Sequence, residues 1–357
     1  MNEAERIIWA FGRLKDMRAN QIAHHTRWQV GQNTPFWHRT KLPYSWIPMD
    51  KALEETDAKE WSKRGVMKLV KGDFDGAILD FNEAIRLDPT YAAPLINRGR
   101  VKSEKKDFAG ALEDYNKAIN IDPKVHVAYL NRGTLYFNQN EFELAIKDFD
   151  KAIEIKPDFV EAYNNRGNVH ARKRDWEKAI ADYTNAISIS PKHLACFVNR
   201  AEVKSKKGDF EEAINDGNQS IQINPQNQIV YITKGEINER KGDLDSALYD
   251  YEHAISINPK SSIGYVKRGG IKLKTGEIDK AIEDYTQSLS LNPKDALAFS
   301  CRGMAFLKKN ELDKALEDCE HSLTLDQRNE IYYINRGFIF TRKNNLDAAL
   351  EDYNKAY

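Results

Sequence analysis

Along residues 126–159, apolar side chains fall at helical spacing at Tyr129, Leu135 and Tyr136, with Gly133 among them. After Asn138, Gln139 and Asn140 a second set follows at Phe142, Ala145, Ile146, Phe149, Ala152 and Ile153. Its steps of 3, 1, 3, 3 and 1 trace one apolar stripe on a helix. Pro157 and Asp158 close the segment, because proline has no N–H to donate and pushes its predecessor towards extended backbone. The pattern predicts helix, tight turn, helix.

The same pattern then recurs without insertion or deletion. Alanine returns every 34 residues from Ala77 to Ala349, aspartate from Asp80 to Asp352, and proline from Pro89 to Pro293. Units open at residues 58, 92, 126, 160, 194, 228, 262, 296 and 330, so residues 58–357 hold about nine of them. A fixed period of this length predicts a solenoid in which each unit buries its apolar face on its neighbours. Glycine sits at position 8 in eight units, for example Gly65, Gly133 and Gly303, where mid-helix it costs about 1 kcal/mol against alanine. Such a recurrent cost predicts that the second helix comes too close for a side chain, with the alanine column facing it.

An aromatic at position 4, Gly at 8, Ala at 20, Phe or Tyr at 24, Ala at 27 and Pro at 32, in register over 34 residues, resemble the tetratricopeptide repeat. The resemblance covers residues 58–357. It implies an all-α solenoid of antiparallel helix pairs in a right-handed superhelix, whose first helices line a concave groove for peptides or partner proteins. The chaperone-tail clamp of that family is not matched: Asn164, Asn168 and Asn199 begin the set, but Ile229 and Thr233 close it wrongly.

Two columns depart from the family. Position 7 is basic throughout, from Arg64 to Arg336 with Lys234 the one lysine, and position 23 is always aspartate. Together they predict a partly buried, bidentate ion pair between the helices of each unit. Unit five departs differently: Gly217 replaces the position-24 ring and Ala201 replaces the glycine. A lost ring predicts a void or a collapse, and a soft joint over residues 194–227.

Partner recognition is expected at positions 2, 5, 6, 9, 12 and 13 of the first helices. Position 6 is Asn97, Asn131, Asn165, Asn199 and Asn335, an amide ladder suited to the backbone of an extended peptide. Position 5 is mostly apolar, as at Ile96, Leu130, Val198, Ile232, Val266 and Ile334, and serves either partner anchors or packing between first helices. Position 13 is Arg172, Lys206, Arg240, Lys274, Lys308 and Arg342. That row either complements the helix dipole or follows an acidic ligand or an RNA backbone.

Composition narrows the function. Lys plus Arg and Asp plus Glu number 54 each, so no net field draws the chain to nucleic acid or membrane. Cys196, Cys301 and Cys319 have no metal-ligand spacing, and His24, His25 and His38 lack accompanying ligands. No nucleophile with a base, phosphate loop or metal cluster stands out, so the expectation is a non-enzymatic interaction scaffold without cofactor. No signal peptide or membrane-length run is visible, which predicts a cytoplasmic protein.

Residues 1–57 lie outside the repeat. Ile7, Ile8, Phe11 and Leu14 predict an amphipathic helix over about residues 3–20, followed by an aromatic, proline-punctuated stretch with Trp28, Trp37 and Trp46. This segment is expected to cap unit one, fill the groove or dock a partner, the last making the chain an accessory subunit of a larger assembly. The sequence stops in the second helix of unit nine without a polar capping helix, which predicts an exposed apolar face open to self-association.

Overall fold

The computed structural model describes residues 57–357, so the segment over residues 1–56, with its expected helix and capping or docking role, lies outside the described residues. The described residues divide into two compact units, one ending at Ala247 and one containing Leu248–Tyr357. The first holds α1 (Ala58–Val70), α2 (Phe74–Leu87), α3 (Ala92–Glu104), α4 (Phe108–Ile121), α5 (His126–Asn138) and α6 (Phe142–Ile155). It continues through α7 (Val160–Arg172), α8 (Trp176–Ile189), α9 (Leu194–Lys207), α10 (Phe210–Ile223) and α11 (Gln228–Lys241). The boundary falls within α12 (Leu244–Ile257). The second unit then holds α13 (Ser262–Thr275), α14 (Ile278–Leu291), α15 (Ala296–Lys308), α16 (Leu312–Leu325), α17 (Glu330–Arg342) and α18 (Leu346–Lys355). Among the described residues there is no strand. The fold is an all-α solenoid of helix pairs.

The turn inside each pair is set by one backbone conformation. Position 15 has positive φ in all nine turns, at Gly72, Gly208, Gly242 and Gly276, at Asn140, Asn310 and Asn344, and at Lys106 and Arg174. Glycine and asparagine tolerate the left-handed region, whereas lysine and arginine adopt it at a cost. The next residue opens the second helix. Asp73 Oδ1 accepts from Gly76 N at 2.9 Å and Asp107 Oδ1 from Gly110 N at 3.0 Å, satisfying amide donors of the first turn.

The glycine column yields to a ring more than to backbone. A Cβ placed on Gly133 would lie 2.8 Å from Cε1 of Phe149, and one on Gly167 would lie 2.7 Å from Cε1 of Tyr183. The position-20 carbonyl adds to the crowding at Gly99, where Ala111 O lies at 3.2 Å from the same point. The rings themselves are sealed, with Phe81, Phe149, Tyr183 and Tyr285 at most 1% exposed. They pack with the position-20 alanines and apolar residues of the following first helix, as Ala145, Phe149 and Val169 do.

Unit five closes its gap by substitution at both ends. Ala201 is fully buried, so its methyl group occupies space that glycine leaves to the ring in the ring-bearing units, or to Cys319 Sγ in unit eight. A Cβ on Gly217 would meet Cγ, Cβ and Cδ of Lys234 at 3.5, 3.6 and 3.7 Å, which is ordinary contact. The one lysine of the position-7 column therefore lays its stem over the position where the ring is missing. No collapse of α9 on α10 is needed.

Candidate functional site

Each first helix meets its own second helix through positions 7, 8 and 11. In the eight units with arginine at position 7, Nε and one Nη hold both carboxylate oxygens of the position-23 aspartate, as in Arg98–Asp114 at 2.9 and 2.6 Å and Arg268–Asp284 at 2.9 and 2.6 Å. Where position 11 is lysine, it adds a second cation, as Lys102 Nζ does 2.9 Å from Asp114 Oδ2. Burial would raise the Asp80 carboxyl, but hydrogen bonds from Arg64 and Lys68 outweigh it and hold the group below its ordinary value. The hydrogen bond with Asp148 likewise holds the Arg132 guanidinium above its usual range.

The same arginine also reaches backwards. Arg98 Nη1 donates to Asn82 Oδ1 at 2.6 Å, Arg132 Nη1 to Asn116 Oδ1 at 2.6 Å, Arg166 Nη1 to Asp150 Oδ1 at 2.5 Å, and Arg200 Nη1 to Thr184 Oγ1 at 2.9 Å. All four acceptors stand at position 25 of the preceding unit. One guanidinium thus joins three helices.

Since positions 7, 8 and 11 are spent on the second helix, helical geometry turns positions 2, 6, 9 and 13 to the opposite face. There the position-6 asparagines reach the neighbouring first helix. Asn165 Nδ2 donates to Thr134 Oγ1 at 3.3 Å, and Asn199 Nδ2 to Asn164 Oδ1 at 3.1 Å and Asn168 Oδ1 at 3.2 Å. Asn335 is buried and donates to Ser300 Oγ at 2.8 Å, leaving its Oδ1 without a partner. Asn131 Nδ2 is also buried without an acceptor, and Asn97 is partly buried. In the apolar position-5 row, Ile96, Ile232, Val266 and Ile334 are buried, while Leu130 and Val198 are partly so.

The position-13 cations also reach back by one unit. Arg172 donates to Asn140 Oδ1 at 3.4 Å, Arg240 to Ser205 Oγ at 3.2 Å, Lys308 to Leu273 O at 3.0 Å and Arg342 to Asn310 Oδ1 at 3.0 Å. These partners are neutral, so no carboxylate among the described residues pairs with these four cations. Lys206 instead meets Glu202 at 2.9 Å, and Lys274 lies exposed at the end of α13. The position-14 lysines behave differently: Lys173, Lys241 and Lys309 form ion pairs with Glu143, Glu211 and Asp279 of the preceding unit at 2.7, 2.7 and 2.8 Å.

Position 9, one of the expected recognition positions, keeps no common residue along the chain. It runs Val66, Arg100, Thr134, Asn168, Glu202, Glu236, Gly270, Met304 and Phe338. Some of these side chains also meet the second helix, as Asn168 does at Tyr183 Oη and Phe338 at the Tyr353 ring.

Chemistry at the cysteines is unfavourable. Cys196 Sγ lies 2.9 Å from His193 Nδ1, yet burial pushes the thiol up to about 12 and lowers His193. Burial also raises Cys319. Among the described residues no three His, Cys, Asp or Glu side chains gather as a metal cluster, and no helix is long and apolar enough to cross a membrane.

Family models described as TPR repeat match residues 99–140, 133–173 and 269–310, and models described as tetratricopeptide repeat match 160–193, 194–227 and 229–261. The chain belongs to the tetratricopeptide repeat family. Comparison with curated proteins gives no significant match. Among solved structures, a tetratricopeptide repeat protein from Parabacteroides merdae is similar at a TM-score of 0.57 and 22% identity, over 71% of this chain and 100% of that one. The yeast Tom70 structure is similar at 0.56 and 14% identity, over 85% of each chain. The APC/C hetero-tetramer Cut9–Hcn1 is similar at 0.55 and 17% identity, over 80% of this chain and 56% of that one. Each of these likenesses is one of fold. The tetratricopeptide fold implies protein partners, and the chain is a protein-interaction scaffold of that family.

Proposed function

We propose that this scaffold holds an extended segment of a partner protein along the first-helix face of positions 2, 6, 9 and 13, and that it acts without catalysis. The observation that carries the reading is that positions 2, 6 and 13 of this face take no part in the arginine–aspartate and glycine–ring joints, whereas at position 9 Asn168 accepts from Tyr183 Oη at 2.8 Å and Phe338 meets the Tyr353 ring. The amide row lies on it, with Asn97, Asn131 and Asn199 partly exposed. An amide can give and accept, so it suits peptide backbone of any sequence. Neighbouring asparagines already bonded to Thr134, Asn164 and Asn168 hold the row in place.

The test is a quantitative pull-down comparing the wild type with Asn131→Ala/Asn165→Ala/Asn199→Ala, both confirmed folded by thermal melts. Loss of partners from the folded variant supports the reading. Equal retention by both proteins removes it.

A further inference from the structure

Within the unit containing Leu248–Tyr357, the first-helix face changes character. At positions 2, 5, 6, 9, 12 and 13 of α13, α15 and α17 there is no carboxylate, whereas Glu202 and Glu236 occupy position 9 in α9 and α11. Lys274, Lys308 and Arg342 end the face, and Lys267 stands on it one turn before Gly270. Lys308 and Arg342 are held by neutral oxygens only, Leu273 O and Asn310 Oδ1, and neither has an ion pair among the described residues. Between the cations and the buried Leu297 and Ile331 run Met304 and Phe338, both partly exposed. A surface both apolar and cationic complements a ligand that is apolar and anionic.

Gly270 sharpens this. Its neighbour Gly269 is required by packing, since a Cβ there would lie 2.9 Å from Cε1 of Tyr285. A Cβ on Gly270 would meet nothing closer than Tyr285 Oη at 3.9 Å. The glycine is thus unfavourable for the helix and unexplained by the fold. It leaves open space where other units carry a position-9 side chain. Successive first helices lie side by side, as the bonds Asn335–Ser300 and Lys308–Leu273 record, so α15 borders α13 on this face.

We propose that this face of α13, α15 and α17 binds an extended, acidic partner segment that seats one large apolar side chain over Gly270 and sets its carboxylates against Lys274, Lys308 and Arg342. Packed helices lie about 10 Å apart and an extended chain rises about 3.3 Å per residue, so one cation per unit matches a carboxylate at about every third residue. This rests on the extended-segment reading above and gives that segment its chemistry.

The test uses the full chain and fluorescent 12-residue peptides with Asp or Glu at every third position and a central Leu, Met or Phe. Controls carry Lys for the acids, Gly for the apolar centre, or the acids in one block. Anisotropy should show binding of the first set, at least ten-fold tighter than any control. Gly270→Leu should weaken it at least ten-fold while its melting temperature is unchanged or raised, and Lys308→Glu/Arg342→Glu should transfer preference to the Lys peptides. Equal binding of block and spaced acids, indifference to Gly270→Leu in a folded variant, or tighter binding of a single-stranded RNA oligonucleotide would each overturn the proposal. If only peptides of other composition bind, and do so through the asparagine row, this inference fails and the extended-segment reading stands. If no peptide binds, both fail.

Discussion

Arg132 grips Asp148 with two parallel hydrogen bonds, Nε to Oδ2 at 2.8 Å and Nη2 to Oδ1 at 2.7 Å, at a place where the carboxylate is 6% and the guanidinium 19% exposed. Removing the acid strands a largely buried cation, which is more costly than never having had the pair. Asp148→Ala should therefore lower stability by about 3 kcal/mol, seen as a drop in the thermal midpoint. Partner affinity of the folded protein should move little, because the pair lies between helices and off the proposed binding face. An unchanged midpoint would contradict the structural role.

Gly133→Ala should be destabilising despite alanine's better helix propensity. The new methyl would press on the Phe149 ring, which is 1% exposed and has nowhere to move. Overpacking of this kind costs about 1–3 kcal/mol. Chemical denaturation gives the sign directly: a gain in stability would mean that the ring has room.

Arg174→Gly should stabilise. Arg174 holds φ at 63°, a conformation that costs an L-residue with a Cβ about 1–2 kcal/mol, part of which glycine returns through greater freedom when unfolded. A net gain of about 0.5–1 kcal/mol is expected, with Lys106→Gly behaving alike. A melt showing a lower midpoint for both would refute it.

Native thiol labelling at pH 8 should modify Cys301 alone. Burial pushes the Cys196 thiol up to about 12, so it stays protonated well above pH 8, and Cys319 is raised as well. Both are buried, while Cys301 is partly exposed. Mass spectrometry of the alkylated protein should find Cys196 and Cys319 modified only after denaturation. Rapid labelling of Cys196 in the folded chain would contradict its assigned environment.

The helix pairs and the ion pair of positions 7 and 23 were legible because each rests on one residue type repeated in register. Columns that repeat a function through different residues were not. Position 25 supplies an oxygen acceptor from Asn82, Asp150 or Thr184 alike, and position 15 supplies a backbone angle from Gly72, Asn140 or Arg174 alike. Column identity hides both. The glycine at position 8 was readable as a close approach, but its cause is the side chain at position 24, a ring at Gly133 and Gly167 and the Cys319 sulfur at Gly303. Asn165 and Asn199 matched a ladder by spacing, whereas their bonds to Thr134, Asn164 and Asn168 depend on the variable position 9 and on position 5.

The backward reach of Arg98, Arg132, Arg166 and Arg200 separates two lengths that the sequence presents as one. The repeat of sequence closes after a single helix pair, but each guanidinium is satisfied only when the preceding pair is also in place. Excising or melting one pair would hand that donor to water, so each link couples neighbouring pairs by about 0.5–1.5 kcal/mol. For the stretch from α2 to α9, the cooperative length then exceeds the repeat length, and the arginine column sets by how much.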